Sequence, residues 1–126
     1  MAAATSFRDI RAWQNAMQLA VDIYQLAGSL PPTERPGLST DLQHTAAAIP
    51  TLIASGHRTR TRSGMLSALQ RALHEAAELE TYLVIVGQLY PNVPSNDLLD
   101  TLDEVQQMLQ SLITRLAKAT GPKTAL

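Results

Sequence analysis

Apolar residues recur at three- and four-residue steps in four segments of the chain, and this spacing predicts four α-helices. The predicted helices span residues 8–28, 34–56, 63–89 and 96–119. No segment of more than a few residues alternates between apolar and polar positions as a half-buried strand does. Four helices joined by short connections predict one all-α domain over residues 1–126, an up-down-up-down antiparallel four-helix bundle.

The first predicted helix carries two apolar lines, which together are wider than the stripe of a one-sided surface helix. A single bundle core buries one of these lines well, so the sequence predicts a homo-oligomer in which the other line meets a second subunit. One line contains Ile10, Trp13, Met17, Ala20, Tyr24 and Ala27, and we expect core packing for its aromatic residues. The predicted interface line contains Ala16, Leu19, Ile23 and Leu26.

Capping residues and prolines predict where the helices begin and end. Ser6 is the expected N-cap of the first helix, and Gly28 is expected to end it in a C′ conformation. Thr33 is the expected cap of the second helix, with Pro36 in its first turn, where a missing N–H costs little. Ser95 is the expected N-cap of the fourth helix.

Pro50 lies inside the second helical pattern and predicts a kink there. Its ring removes one backbone hydrogen bond and clashes with the carbonyl of Ala46, so we expect a bent helix that continues to about Ser55. A helix that ends at Pro50 is the competing interpretation.

Composition narrows the class of protein. The 126 residues include no Cys, which excludes disulfides and cysteine nucleophiles, and the net charge is -1, which disfavours nucleic-acid binding over the whole surface. The sequence "MAAATSFRDIRAW" lacks the pattern of a signal peptide, and no segment offers about 18 successive apolar residues. We therefore expect a cytoplasmic protein with no membrane segment.

The strongest candidate for a functional site is the basic run Arg58, Arg60 and Arg62, which alternates with Thr59 and Thr61. Arginines interleaved with hydroxyl groups can contact phosphates, so the run is a candidate site for RNA or DNA. The competing interpretation is a solvated turn that keeps the bundle soluble. A ring of several copies would favour phosphate binding, because the arginines of all copies would share one rim.

The residues typical of enzyme active sites and metal centres are sparse. His74 and Glu78 stand four apart on a helix, but no third metal ligand accompanies them, and an exposed ion pair is the expected alternative to a metal site. His44 and His57 have no matched catalytic partner, and Ser55 lacks the G-x-S-x-G pattern of a nucleophile elbow. We expect no catalytic residues, no metal and no cofactor.

Four stretches of the chain resemble one known family of helical bundles. They are "FRDIRAWQNAMQLAVDIYQLA" from Phe7, "LPPTERPGLSTDLQ", "AIPTLIASGHRTR" and "ELETYL" at Glu78–Leu83. In these stretches the chain resembles the four-helix bundle proteins named after intervening sequences in 23S ribosomal RNA genes of bacteria. The proline of "AIP" belongs to the family's pattern, which favours a kink over a helix end at Pro50.

The resemblance implies a ring-like homo-oligomer, a pentamer, and a protein without an established enzymatic activity. Related bundles assist reverse transcription by binding nucleic acid and a polymerase, which supplies an analogy for mechanism. The chain departs from the family's polar pattern at several positions. If those positions contact a ligand in the family, this chain has lost the contact. The departures are His44, Thr45, Leu52, Ser55, His74 and Glu75.

These observations predict a non-enzymatic, oligomeric four-helix bundle that acts as a scaffold or adaptor. The alternative is a nucleic-acid-binding accessory protein that uses a basic rim at Arg58–Arg62. A metal-dependent enzyme is the third and least supported hypothesis. The sequence names no partner and no cellular process.

Overall fold

Four long helices form the protein. The computed structural model describes residues 6–118. Its helices are α1 (Arg11–Ala27), α2 (Leu38–Arg58), α3 (Arg62–Leu89) and α4 (Asn96–Lys118), with short 3-10 helices at Phe7–Asp9 and Pro32–Glu34. Each helix packs against the next, α4 packs back against α1, and within the described residues the diagonal pairs do not meet. This cyclic packing confirms the predicted four-helix bundle.

The first helix begins later than predicted, at Arg11 rather than residue 8. The side chain of Ser6 does act as a cap, but it accepts a hydrogen bond of 3.1 Å from the backbone N–H of Arg8 in the preceding 3-10 helix. Ile10 is extended (φ -80°, ψ 121°) and separates the two elements. The short helix therefore places Phe7 across the start of α1, where it contacts both α1 and α2.

The second helix also begins later than predicted, at Leu38 rather than residue 34. Thr33 belongs to the separate 3-10 helix, and Pro36 precedes α2 instead of occupying its first turn. Gly37 is not helical (φ 178°, ψ -125°) and marks the start of α2. Gly28, expected in a left-handed C′ conformation, has right-handed dihedral angles (φ -67°, ψ -17°), so that expectation is wrong.

Helix α2 runs through Pro50 and ends at Arg58, so the competing interpretation, a helix that ends at Pro50, is wrong. The proline ring supplies no N–H for the carbonyl of Ala46. The ring is itself buried on the side of α2 that faces α1. The continuous helix carries Arg58 to the end of the bundle where α3 begins.

One apolar core fills the space between the helices. The largest side chains with essentially no exposure come from all four of them, and the a/d line of α4 supplies its share as predicted. Serine at position 95 accepts the N–H of Leu99 on its carbonyl oxygen at 3.1 Å, as expected of an N-cap. The fully buried large residues are Leu19, Ile23, Leu42, Ile49, Ile53, Leu69, Leu79, Leu83, Val86, Leu102, Val105 and Leu109.

Candidate functional surfaces

The turn between α2 and α3 is built by its threonines. The hydroxyl of Thr59 donates to the carbonyl of Gly56 at 2.7 Å, and it also lies 3.4 Å from the N–H of Thr61. The hydroxyl of Thr61 accepts from the N–H of Gly64 at 3.0 Å and caps α3. Both hydroxyls are therefore engaged in the turn, and the expectation that they help to hold phosphates is not supported by their contacts.

The arginines of the same turn differ in their exposure. Arg58 and Arg60 are exposed, whereas Arg62 is half-buried at the start of α3. Arg60 has a left-handed backbone with φ of 58°, and its N–H donates to the carbonyl of His57 at 3.2 Å. The alternating sequence therefore gives threonines that close the turn and cationic side chains at its surface.

Arg58 lies over one ring of an aromatic pair. Its guanidinium carbon is 5.8 Å from the centre of the Phe7 ring, within the range of a cation–π contact. The ring of Phe7 is in turn 5.3 Å from the ring of Trp13, with 59° between their planes. Three elements thus bring an arginine and two aromatic rings together, a contact that no sequence spacing predicted.

The antiparallel topology collects further cations near the basic turn. The start of α1 and the end of α4 lie at the same end of the bundle as the α2–α3 turn, because successive helices reverse direction. In the described part of the chain, Arg35 is the one arginine or lysine outside that half of the bundle, and Asp9 and Glu75 are the acids inside it. The cations of this basic end are Arg8, Arg11, Arg58, Arg60, Arg62, Arg71, Arg115 and Lys118.

Contacts between helices fix this alignment. Arg58 reaches Phe7 at one end of the bundle, and Tyr90 reaches Glu34 at the other end. Between them, the side-chain amide of Gln106 donates to Glu80 at 3.2 Å, which sets α4 against α3. The remaining acids of the described chain lie in the middle or at the far end, so the bundle has a basic end and an acidic end.

A second surface is an apolar groove of about 850 Å³ on the outside of α1 and α2. Met17, Val21 and Tyr24 line its α1 side with exposures of 38%, 46% and 48%. Pro50, with Ala47 and other small side chains, forms its α2 side. Large apolar side chains exposed together on one helix face are typical of a surface that binds another molecule.

The predicted interface line is wrong. Its four residues, Ala16, Leu19, Ile23 and Leu26, are each at most 6% exposed, because they face the core of their own bundle. The line assigned to the core is the one that leaves Met17 and Tyr24 exposed. Both lines are apolar with helical spacing, so their pattern did not show which of them faces the other three helices.

Two carboxylates of α3, Glu75 and Glu78, lie close together. Burial raises the pKa of Glu75, and the nearby carboxylate of Glu78, which shares a hydrogen bond with it, raises that pKa further. His44 and Arg71 oppose this shift by favouring the charged form. Among the described residues no ion pair joins His74 to Glu78, and residues 6–118 contain no group of three His, Cys, Asp or Glu side chains placed to hold a metal ion together.

The positions where the chain departs from the family pattern lie mostly on the α2–α3 side. Thr45 is buried, with its hydroxyl donating to the carbonyl of Asp41 at 2.8 Å, and Ser55 donates to the carbonyl of Leu52 at 3.2 Å. Leu52, His74 and Glu75 line a smaller pocket beside them. These hydroxyls therefore hydrogen-bond to carbonyls of their own helix.

No helix in the described range is long and apolar enough to cross a membrane.

Comparisons with known proteins find a similar fold in a solved structure and a match to one family's sequence model. A protein of unknown function from the S23 ribosomal protein family of Bacteroides thetaiotaomicron VPI-5482 has a similar crystal structure, with a TM-score of 0.73 and 20% identity. The alignment covers 82% of this chain and 95% of that one. Among curated proteins, none matches the chain significantly. Residues 8–111 match the sequence model of one family, and the chain therefore belongs to the 23S rRNA-intervening sequence protein family.

Proposed function

We propose that the protein is a non-enzymatic scaffold that works as a homo-oligomer. The observation that carries this proposal is the exposed apolar face of α1, formed by Met17, Val21 and Tyr24 at the edge of the α1–α2 groove. A second copy that covers this face removes its apolar surface from water, which is the main driving force of association. The resemblance to ring-forming relatives favours five copies.

Mass measurement tests this proposal directly. Light scattering at micromolar concentration is expected to give a multiple of the 13.7 kDa subunit mass. Val21→Glu is expected to shift the mass to that of a monomer while the helical circular dichroism remains. Gln70→Glu adds the same charge at an exposed position of α3 and is expected to leave the mass unchanged. A wild-type monomer mass contradicts the proposal.

A second candidate function is binding to the phosphate backbone of RNA or DNA. The concentration of cations at one end of the bundle favours it, because this end carries Arg8, Arg11, Arg115 and Lys118 in addition to the three arginines of the turn. Their separation from most of the acids gives a local positive field despite the formal net charge of -1. Several copies in a ring would enlarge that field.

Binding at the basic end is expected to be weak, sequence-tolerant and strongly dependent on salt. Each phosphate contact contributes about 0.7–0.9 to the slope of log affinity against log salt concentration. A variant with Ser at positions 58, 60 and 62 is expected to lose binding at about 50 mM salt. Arg35→Ser removes one cation at the opposite end of the bundle and should bind as the wild type does.

A double variant, Arg115→Ser with Lys118→Ser, tests whether the whole basic end binds phosphates or only the α2–α3 turn does. If the whole basic end binds phosphates, this double variant lowers both the affinity and the salt slope. An unchanged slope would confine binding to the turn. If the wild type binds neither RNA nor DNA at low salt, the second candidate fails and the scaffold proposal stands alone.

A further inference from the structure

The row formed by Trp13, Phe7 and Arg58 lies where the basic end meets the apolar groove. All three side chains line the groove, and among the described residues that line it Arg58 is the charged one. Phe7 and Trp13 are half-buried, whereas Arg58 is exposed. The row therefore offers a guanidinium backed by an aromatic ring on one side and open to a ligand on the other.

Cations surround this row. Arg8 follows Phe7 directly and is exposed, and Arg11 is exposed at the first position of α1. Arg60 and Arg62 follow Arg58 across the turn. If the planar base of a single strand entered the groove beside Arg58, the phosphates on either side of that base would lie over this positive surface.

We infer that the basic end binds single-stranded nucleic acid, with one unpaired base stacked at the Arg58–Phe7–Trp13 row. This inference rests on the nucleic-acid function proposed above and adds the form of the ligand to it. Unpaired bases stack on aromatic rings and on arginine planes, and such stacking tolerates any base sequence. The cations hold the flanking phosphates.

A duplex fits this site poorly. Its bases are already stacked and paired, so only its phosphates and groove edges are available to the surface. The free energy of stacking at Phe7 and Arg58 is then lost, whereas the electrostatic attraction to the cations remains. The row therefore predicts a preference for single strands over duplexes of similar charge.

Base stacking leaves the oligomer surface available. Trp13 and Tyr24 are 11 positions apart on α1, which corresponds to about 16 Å along a helix with a rise of 1.5 Å per residue. A second copy centred on Val21 and Tyr24 can thus occupy the far part of the groove. The base would occupy the end near Phe7.

Trp13 provides a direct reporter, because it is the only tryptophan in the sequence. Its fluorescence is measured during titration with 12-nucleotide single strands of thymidine DNA and uridine RNA at about 50 mM salt. An abasic strand of the same length and a 12-base-pair duplex are the comparison ligands. Both single strands are expected to quench Trp13 and to bind on the order of tenfold more tightly than the abasic strand.

Two variants test the row while keeping the charge of the site. Arg58→Lys retains the cation but loses the planar group, and it should reduce the advantage of the single strand over the abasic strand. Phe7→Leu keeps an apolar side chain and should do the same. Arg35→Lys, at an exposed position on the opposite end of the bundle, is the control, and its preference for the single strand should match the wild type.

The outcomes distinguish this inference from the function on which it rests. Equal binding of the intact and abasic strands overturns base stacking, while binding to the phosphate backbone survives. An unchanged preference in Arg58→Lys also overturns the assigned site. No binding of any strand at low salt overturns both. Folding of each variant is checked by circular dichroism, and Arg58→Lys at an exposed position provides the test if Phe7→Leu does not fold.

Discussion

Gly56 of α2 and Ala68 of α3 face each other so closely that a side chain on Gly56 has no room. A Cβ atom built on Gly56 would lie 2.5 Å from the Cβ of Ala68 and 3.1 Å from the sulfur of Met65. This close approach of two backbones occurs just before the α2–α3 turn. It holds the two helix ends that carry Arg58 and Arg62 beside one another.

Gly56→Ala is expected to destabilise the bundle by about 1–3 kcal/mol, the usual cost of overpacking a filled site. The added methyl group forces α2 and α3 apart, because its nearest neighbour is a Cβ that cannot rotate away. Chemical denaturation measures the change. Gly87→Ala is the control inside α3, where a Cβ would meet only the side-chain oxygen of Ser95 at 3.3 Å; an equal loss there would contradict this explanation.

Arg60→Gly is expected to stabilise the protein by about 0.5–1 kcal/mol. The left-handed conformation at φ of 58° costs a side-chain-bearing residue about 1–2 kcal/mol, whereas glycine adopts it freely at some cost in entropy. Arg60→Ala removes the same charge and keeps the strain, so its stability should not rise. In thermal melts, Arg60→Gly should be more stable than Arg60→Ala. The reverse order would contradict backbone strain at position 60.

Leu19→Glu and Val21→Glu are expected to differ in their effects on folding and assembly, although the two residues are only two positions apart on α1. Leu19 is 1% exposed in the core, so a carboxylate there should unfold the subunit or cost at least about 3 kcal/mol. Val21 is 46% exposed, so the same change should dissociate the oligomer and leave the subunit folded. A folded monomer produced by Leu19→Glu would contradict this assignment of the two faces.

Pro50→Ala is expected to straighten α2. Alanine supplies the N–H that the carbonyl of Ala46 lacks and removes the clash of the ring. Since the chain contains no cysteine, spin labels on cysteines introduced at exposed Thr40 and Ser55 report the length of the helix. Fifteen residues of straight helix span about 22 Å, and the variant should give a longer label separation than the proline-containing chain. Equal separations would contradict a bend at Pro50.

Tyr90→Phe is expected to lower the stability of the protein at neutral pH. The variant is also expected to lose less stability than the wild type as the pH becomes alkaline. The hydroxyl of Tyr90 donates to Glu34 at 2.5 Å, and this hydrogen bond is the main reason that the pKa of Tyr90 is raised. Because the folded state holds the proton more tightly, the stabilisation is complete below the ordinary tyrosine pKa of about 10 and is lost as pH rises through the folded value.

Melting temperatures measured from pH 7 to pH 11 test this prediction. The difference between wild type and Tyr90→Phe should shrink above pH 10. Tyr82, whose pKa is also raised, chiefly by burial, remains in both proteins and accounts for a loss that they share. A difference that stays constant with pH would contradict a role for the Tyr90 proton.

The helices could be predicted from sequence because their apolar spacing is local. The line of α4 through Leu102, Val105 and Leu109 is buried as predicted. The ends of the helices were less well predicted, because Ser6 caps the short 3-10 helix before α1 and Thr33 lies inside a second 3-10 helix without capping it. A cap signal shows that a turn starts, but not how far the helix continues.

The sequence by itself determined four helices, a continuous α2 through the proline of the family pattern, and a basic turn. Only the tertiary structure decided which apolar line of α1 is buried, because that choice depends on the helices that surround it. It also brought Phe7 to Arg58, 51 positions away in the chain. Finally, the antiparallel order of the helices placed Arg8, Arg11, Arg115 and Lys118 beside the basic turn, since charges far apart in sequence become neighbours when successive helices reverse direction.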